Sequence, residues 1–325
     1  MPRWLVTGGA GFIGGHFVRL ILRERPGVDV VNLDKLTYAG NEETLEELDR
    51  SGRHQWVRGD VADPAAVREA MAGCEAVVHF AAESHVDRSI QDASGFVRTN
   101  VLGAYSLFEE ARRQKVPRFL NVSTDEVYGS IAESAASEED PLAPTNPYSA
   151  TKASGDLLAL SYFKTHRFPV HIARSTNNYG PLQYPEKMIP LFITQAIDGE
   201  PLPVYGDGRY RRDWLNVEDN ARALLCILEK GAPGQIYNVA GGNEWENIEV
   251  ARSILRWMGR DESLIRHVSD RPGHDRRYAM RDEKVRRLGW APSIPFEQGL
   301  KETVAWYRSH EGWWRNLKRG RVAVP

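Results

Sequence analysis

The sequence predicts an α/β fold: a doubly wound parallel sheet followed by a smaller, loop-rich second lobe. Three observations predict it. Through the first half, short apolar runs alternate with helical patterns, as in a sheet covered by helices on both faces. One of those runs, Val77-Val78-His79-Phe80-Ala81, is apolar nearly throughout, as central parallel strands are. After about Asn178 the texture changes, with frequent prolines and glycines (Gly180, Pro181, Pro185, Pro190, Pro201, Pro203) and only short strand signals.

Taken in order, strands are expected over residues 4–7, 28–33, 55–58, 76–80, 119–122 and 170–173. Helical patterns lie between them at 12–25, 64–71, 95–114 and 147–165. Six such strands joined by crossover helices place ligands at the carboxyl ends of the strands. Helical periodicity returns at 218–229, 248–257 and 298–308, whereas 315–325 is basic and aperiodic and is expected to be mobile. The division is therefore a sheet domain over 1–178 and a lobe over 179–325, with some lobe segments returning to the sheet.

A chain of 325 residues can bury a core of this size, and 42% hydrophobic with 26% charged residues is ordinary globular composition. The formal net charge of -2 provides no general field for a nucleic acid or a membrane surface, so neither partner is expected. Any anionic ligand must instead meet a local cluster of bases. Cys74 and Cys226 lack metal-ligand spacing, so no metal is expected and both read as thiols in a reducing compartment. The opening Met-Pro-Arg-Trp-Leu-Val-Thr runs straight into a motif, and no apolar run approaches the length of a membrane span. A cytoplasmic protein is the expectation.

That first motif is Thr7-Gly8-Gly9-Ala10-Gly11-Phe12-Ile13-Gly14, between an expected strand and an expected helix. Gly8 makes the tight turn, Gly11 lets the backbone approach a pyrophosphate, and Gly14 lets helix and strand pack closely. The helix amides then face the phosphates. Asp34 ends the second strand twenty positions after Gly14, where a carboxylate accepts both ribose hydroxyls of NAD and repels the extra phosphate of NADP. Asp60-Val61, after the third strand, is placed to reach the adenine.

Tyr148 and Lys152 form Y-x-x-x-K, which puts phenol and ammonium on one helix face. Lys152 is expected to lower the tyrosine pKa and hold the nicotinamide ribose, leaving Tyr148 as a base toward a sugar hydroxyl. Ser123-Thr124 supplies hydroxyls at the end of the fifth strand. Together, Gly8 to Gly14, Tyr148 with Lys152, and Ser123-Thr124 resemble the extended short-chain dehydrogenases/reductases that act on nucleotide sugars, to about Tyr307. The resemblance implies a Rossmann domain and NAD as cofactor. It adds Lys35, Thr37, Ala81 and Ala82 to the cofactor residues, with Thr99 at the nicotinamide end and Asn178 near the cofactor.

Many members of that family oxidise C4 of the sugar, and a few side chains decide the fate of the resulting ketone. Here Thr124 precedes two adjacent acids, Asp125 and Glu126, which raise one another's pKa and are costly without a task. Dehydration supplies the task. Next to a C4 ketone the C5 proton becomes acidic, and the C6 hydroxyl needs a proton to leave as water. The triplet looks like that of the 4,6-dehydratases acting on dTDP-glucose. That likeness implies Asp125 as the acid at C6, Glu126 as the base at C5, and Thr124 as a partner of the C4 oxygen. A 4-epimerase needs no such pair of acids and a decarboxylase needs no donor at C6. A non-catalytic NAD-binding protein has no use for the triplet.

The loops also resemble the family's substrate site. Ser84 faces the sugar, Asn177, Glu186 and Lys187 belong to the substrate loop, and Pro203 and Tyr205 look like the wall against the base. Arg212, Arg271 and His274 are the local bases for a diphosphate, and Asn243 is placed near base or ribose. His85 reads as a structural hydrogen-bonder. The resemblance further implies a homodimer through a four-helix bundle of the helices at 95–114 and 147–165.

Overall fold

The computed structural model describes residues 1–319. Twelve strands are present among them: β1 (Arg3–Thr7), β2 (Asp29–Asp34), β3 (His54–Arg58), β4 (Ala76–His79), β5 (Phe119–Thr124), β6 (Val170–Ser175), β7 (Asn177–Tyr179), β8 (Leu202–Tyr205), β9 (Arg211–Asn216), β10 (Ile236–Val239), β11 (Glu244–Glu246) and β12 (Ile265–Val268). Seven form one parallel sheet in the order β10-β6-β5-β4-β1-β2-β3. All six expected strands lie in it, and β10 is a seventh that the sequence did not reveal. Strand order reverses between β1 and β4, the switch point where such sheets bind ligands.

The principal helices are α1 (Phe12–Glu24), α2 (Glu42–Asp49), α3 (Pro64–Met71) and α4 (Val86–Gln91). Next, Ser94–Phe96, the π-helical Val97–Gly103 and Ala104–Arg113 run on as one element, α5. Then come α6 (Pro147–His166), α7 (Met188–Asp198), α8 (Val217–Lys230), α9 (Asn247–Met258), α10 (Phe296–Ser309) and α11 (Glu311–Arg319). Their starts are written in the sequence. Asp63 accepts the Ala65 N–H before Pro64, and Asn146 with Ser149 forms a reciprocal capping box around Pro147.

Alternation along the strands fills two cores. Val6, Val30, Val78 and Leu120 meet Phe17 and Ile21 of α1 and Leu224 and Leu228 of α8. Leu5, Val31, Val77 and Phe119 point the other way, to Val67, Leu107, Phe108 and Ala159. A third core joins α7, α9 and α10 in the lobe and includes Trp314.

The expectation for the tail fails where it can be checked. Residues 311–319 are helical, and the Trp314 indole is fully buried, donating to the Tyr307 carbonyl at 2.9 Å. Arg315 pairs with Asp198 at 2.8 Å and lies 4.3 Å from the Trp314 ring centroid. One anchoring tryptophan and a salt bridge do what a periodic apolar stripe usually does. Residues 320–325 lie outside the described residues. The helix α7 was also missed, because Pro190 interrupts its pattern; yet Pro190 sits in the first turn, where its missing N–H would have had no partner.

Candidate active site

At the carboxyl ends of β1, β4, β5 and β6 opens a cavity of about 310 Å³. Gly8, Gly11, Phe12, Ile13 and Gly14 line one end. Gly8 has φ +75, and a Cβ there would lie 2.6 Å from the Ala81 nitrogen. A Cβ on Gly14 would lie 2.3 Å from the Gly8 oxygen. Gly11 caps α1 without any side-chain hydrogen bond, so the first helix amides stay available to an anion.

Asp34 stands at the end of β2, one oxygen accepting the Ala10 N–H at 3.0 Å and the other the Leu36 N–H at 2.8 Å. Burial pushes its carboxyl up, and those two N–H groups pull it down. Thr37, Val61, Ala81 and Ala82 also line the cavity. Lys35 lies 3.8 Å from Asp60, which stands just outside the lining. Lys35 also donates to Thr99 at 3.2 Å. Thr99 lines the cavity, and its neighbours Phe96 and Asn100 meet Tyr148 (ring centroids 6.4 Å apart) and Thr151 (2.9 Å) of α6.

At the other end, Tyr148, Lys152 and the turn Asp125–Tyr128 converge. The Thr124 hydroxyl donates to Asp125 at 3.1 Å and accepts the Glu126 N–H at 3.3 Å. Asp125 is 2% exposed; burial, then the neighbouring Glu126 charge, holds its carboxyl far above the usual range. Burial also raises Glu126, but Arg212, Arg271 and Lys187 oppose it with three positive charges. Both carboxyls are raised, Asp125 the further, because three cations oppose the effect of burial at Glu126.

The expected effect of Lys152 on Tyr148 is not found. Burial and the charges of Glu126 and Asp125 raise the phenol, and a hydrogen bond with Thr124 favours its ionised form. The Lys152 ammonium turns to the Val122 carbonyl at 2.7 Å. Burial lowers its pKa to about 8.

Ser84, Asn177, Asn178, Glu186 and Lys187 line the same cavity, and Lys187 bridges to the Ser84 carbonyl at 2.8 Å. Pro203, Tyr205, Arg212, Arg271 and His274 stand beyond the lining, in a wall reached through Asp87. Arg271 donates to Asp87 at 3.0 Å, and the Tyr205 hydroxyl donates to it at 3.3 Å. His274 stacks on Tyr210 at 3.8 Å beside Asp270, and burial lowers it to about 4. Arg212 lies 4.2 Å from the Tyr278 ring centroid. Asn243 is not brought to the cavity; its amide closes its own loop on the Gly241 carbonyl at 2.8 Å. His85 lies 3.7 Å from Glu186. The sequence reading missed Tyr38, Gln183 and Tyr184. Tyr38 packs edge-on against Tyr184 at 5.6 Å and under Arg88 at 3.7 Å, closing over the cavity between distant loops.

The sequence pattern of the family described as GDP-mannose 4,6 dehydratase matches residues 5–303. The chain belongs to that family. A dTDP-glucose 4,6-dehydratase of Streptomyces niveus is 51% identical over 321 residues, 97% of this chain and 96% of that one. The solved structure of DesIV, a dTDP-glucose 4,6-dehydratase from Streptomyces venezuelae with NAD bound, has a TM-score of 0.95 at 48% identity, covering 97% of this chain and 99% of that one. The NAD complex of Thermus thermophilus UDP-glucose 4-epimerase has a TM-score of 0.88 and 30% identity, covering 95% and 99%. The sheet is thus the Rossmann arrangement of the extended short-chain dehydrogenases/reductases.

The residues present fit NAD. A cradle that a single Cβ would fill faces open helix amides, and Asp34 stands where a ribose would lie. Further along the cavity, Ser123 Oγ, Thr176 Oγ1, Asn178 Oδ1 and Gln183 Oε1 are buried without a partner among the described residues. Such atoms cost about 1–3 kcal/mol each unless a ligand satisfies them.

Proposed function

We propose that this chain is an NAD-dependent dTDP-glucose 4,6-dehydratase, converting its substrate to dTDP-4-keto-6-deoxyglucose. The observation that carries the reading is the pair of acids Asp125 and Glu126, adjacent in the chain and lining one cavity with Tyr148 and Lys152. The names of the relatives from Streptomyces support the substrate.

NAD supplies a hydride acceptor for C4 and the hydride returned to C6. Gly8, Gly11 and Gly14 would hold its pyrophosphate, Asp34 its adenosine ribose, and Lys152 its nicotinamide ribose. Tyr148 takes the proton of the C4 hydroxyl as a phenolate, the form its hydrogen bond with Thr124 favours. Glu126 removes the C5 proton as Asp125 protonates the departing C6 hydroxyl, and water leaves. Glu126, its proton exchanged with solvent, would then reprotonate C5 as C6 is reduced, and the proton on Tyr148 would pass to Asp125. Protons and electrons balance, and NAD is not consumed. Arg212, Arg271 and His274 would meet the diphosphate, with Pro203 and Tyr205 against the base.

A homodimer belongs to the same reading. Phe96 and Leu107 are buried within the chain, whereas Val97, Leu102 and Tyr105 on α5 and Leu157 on α6 are exposed, a face suited to a four-helix bundle. Light scattering of L157D should show a monomer where the parent is a dimer. Among the described residues no helix is long and apolar enough to cross a membrane. The free Cys74 and Cys226 suit a reducing cytoplasm.

Incubation with dTDP-glucose in deuterated water tests the reaction. Loss of one water with deuterium at C5, and no net change in NAD or NADH, supports it. Intact hexose epimerised at C4 would point to an epimerase, and unchanged substrate would refute the dTDP-glucose assignment.

A further inference from the structure

One helical turn beyond Lys152, α6 carries Asp156, so Tyr148, Lys152 and Asp156 share a face at intervals of four. Asp156 is 0% exposed and Arg174 of β6 is 1% exposed, and Arg174 Nε donates to Asp156 Oδ2 at 2.9 Å. A buried ion pair is expensive to desolvate and contributes little net stability. Its other contacts suggest a use. Arg174 Nη1 donates to the Tyr128 hydroxyl at 2.7 Å, and the guanidinium lies 4.7 Å from the centre of that ring. Tyr128 ends the turn that carries both acids, and its hydroxyl donates onward to Asn238 of β10 at 2.8 Å. The second Asp156 oxygen accepts Asn121 Nδ2 at 3.1 Å, from the strand that leads into the same turn.

We propose that Asp156 and Arg174 form a positioning unit for the dehydration, the carboxylate backing Lys152 and the guanidinium fixing the turn that presents Asp125 and Glu126. Neither side chain lines the cavity, so both act through others. The inference rests on the dehydratase reading above.

The charges around Lys152 make the unit testable. Burial disfavours its ammonium, and Asp156 is the carboxylate that opposes this. From β4, His79 faces it as a neutral ring, since burial lowers that histidine to about 3. Tyr148 lies one turn before it on the same helix, and Asp125 and Glu126 lie on the turn after β5. Arg174, from β6, pairs with Asp156 at 2.9 Å.

The double variant D156N/R174Q removes both buried charges together and leaves neither orphaned. Rates of dTDP-glucose dehydration from pH 6 to 9 should show KM within about twofold of the parent and kcat lowered about tenfold or more, as for lost acid–base alignment. The alkaline limb of kcat/KM should move about one pH unit lower, because Lys152 loses its counter-charge. R174K keeps the charge and loses the fork to Tyr128, so its limb should stay in place while kcat falls. A double variant whose limb coincides with the parent's overturns the proposal, as does R174K with full kcat. Binding of NAD against pH, followed by tryptophan fluorescence, separates the two readings. A parent that binds NAD but never dehydrates refutes the function alone, and a binding profile unshifted in the double variant refutes the unit.

Discussion

At the glycine loop the protein offers a ligand its backbone; at the wall built from residues 203–212 and 270–275 it offers side chains that already have partners. Gly8 and Gly14 leave no space for a Cβ, and the amides of α1 are uncapped, so an anion there displaces nothing from the protein. At the wall, Arg271 holds Asp87 and His274 holds Asp270, so an anion binding those two side chains would have to displace a carboxylate. The first arrangement is preorganised and binds at little reorganisation cost; the second makes affinity a difference between two sets of ion pairs. That contrast suits a cofactor that stays through many turnovers and a substrate that leaves in each.

Substitutions at the seam between the two regions should have the largest effect. E126Q is expected to lower kcat by about 10²–10⁴ and abolish deuterium uptake at C5 with little change in KM, since it removes only the base. R271A should raise KM for dTDP-glucose about 10- to 100-fold, the worth of one or two charge-assisted hydrogen bonds, while leaving NAD content untouched. G14A should do the converse. Its methyl would meet backbone at 2.3 Å, so thermal melts should report a loss of about 1–3 kcal/mol and the purified protein should carry less NAD.

Acid should weaken the rigid region selectively. His79 hydrogen-bonds Thr7 at 2.7 Å beneath the glycine loop, and burial lowers its pKa to about 3. Its unfolded form binds a proton near pH 6.5 that the fold refuses, so stability is full above that pH and falls as pH drops toward 3. Melts of the parent between pH 7 and 5 should be steeper than those of H79N by up to about 1.4 kcal/mol per pH unit. The smallest effect is expected from D87N, because Asp87 is 35% exposed at its side chain and such a pair is worth about 0–1 kcal/mol. KM should change by no more than about fivefold. A rise matching that of R271A would make Asp87 a substrate ligand instead of a placeholder.

The same contrast explains what could be read in the sequence. The central strands announced themselves because burial on both faces demands continuous apolar runs, and α6 because Asn146, Pro147 and Ser149 cap it locally. The glycine loop is a local motif whose geometry comes from missing side chains. The wall is not local. Arg271 and Asp87 are 184 positions apart, and no spacing rule joins them. The strand β10, Ile-Tyr-Asn-Val between glycine-containing loops, is too short to stand out, and its partner β6 ends about 60 positions earlier. The turn of Lys152 toward the Val122 carbonyl depends on where a strand end falls relative to a helix face, which no pattern in either segment records.

The return of β10 to the edge of the sheet, with α8 packed against α1, bears on how such a protein can change. Strand β6 would present an unpaired edge if residues 1–178 were expressed alone, and the core around Phe17 would lose Leu224 and Leu228. The two halves are interleaved and cannot be exchanged as cassettes. A new sugar or base specificity must therefore arrive by substitutions within loops already threaded through the cofactor half, one side chain at a time.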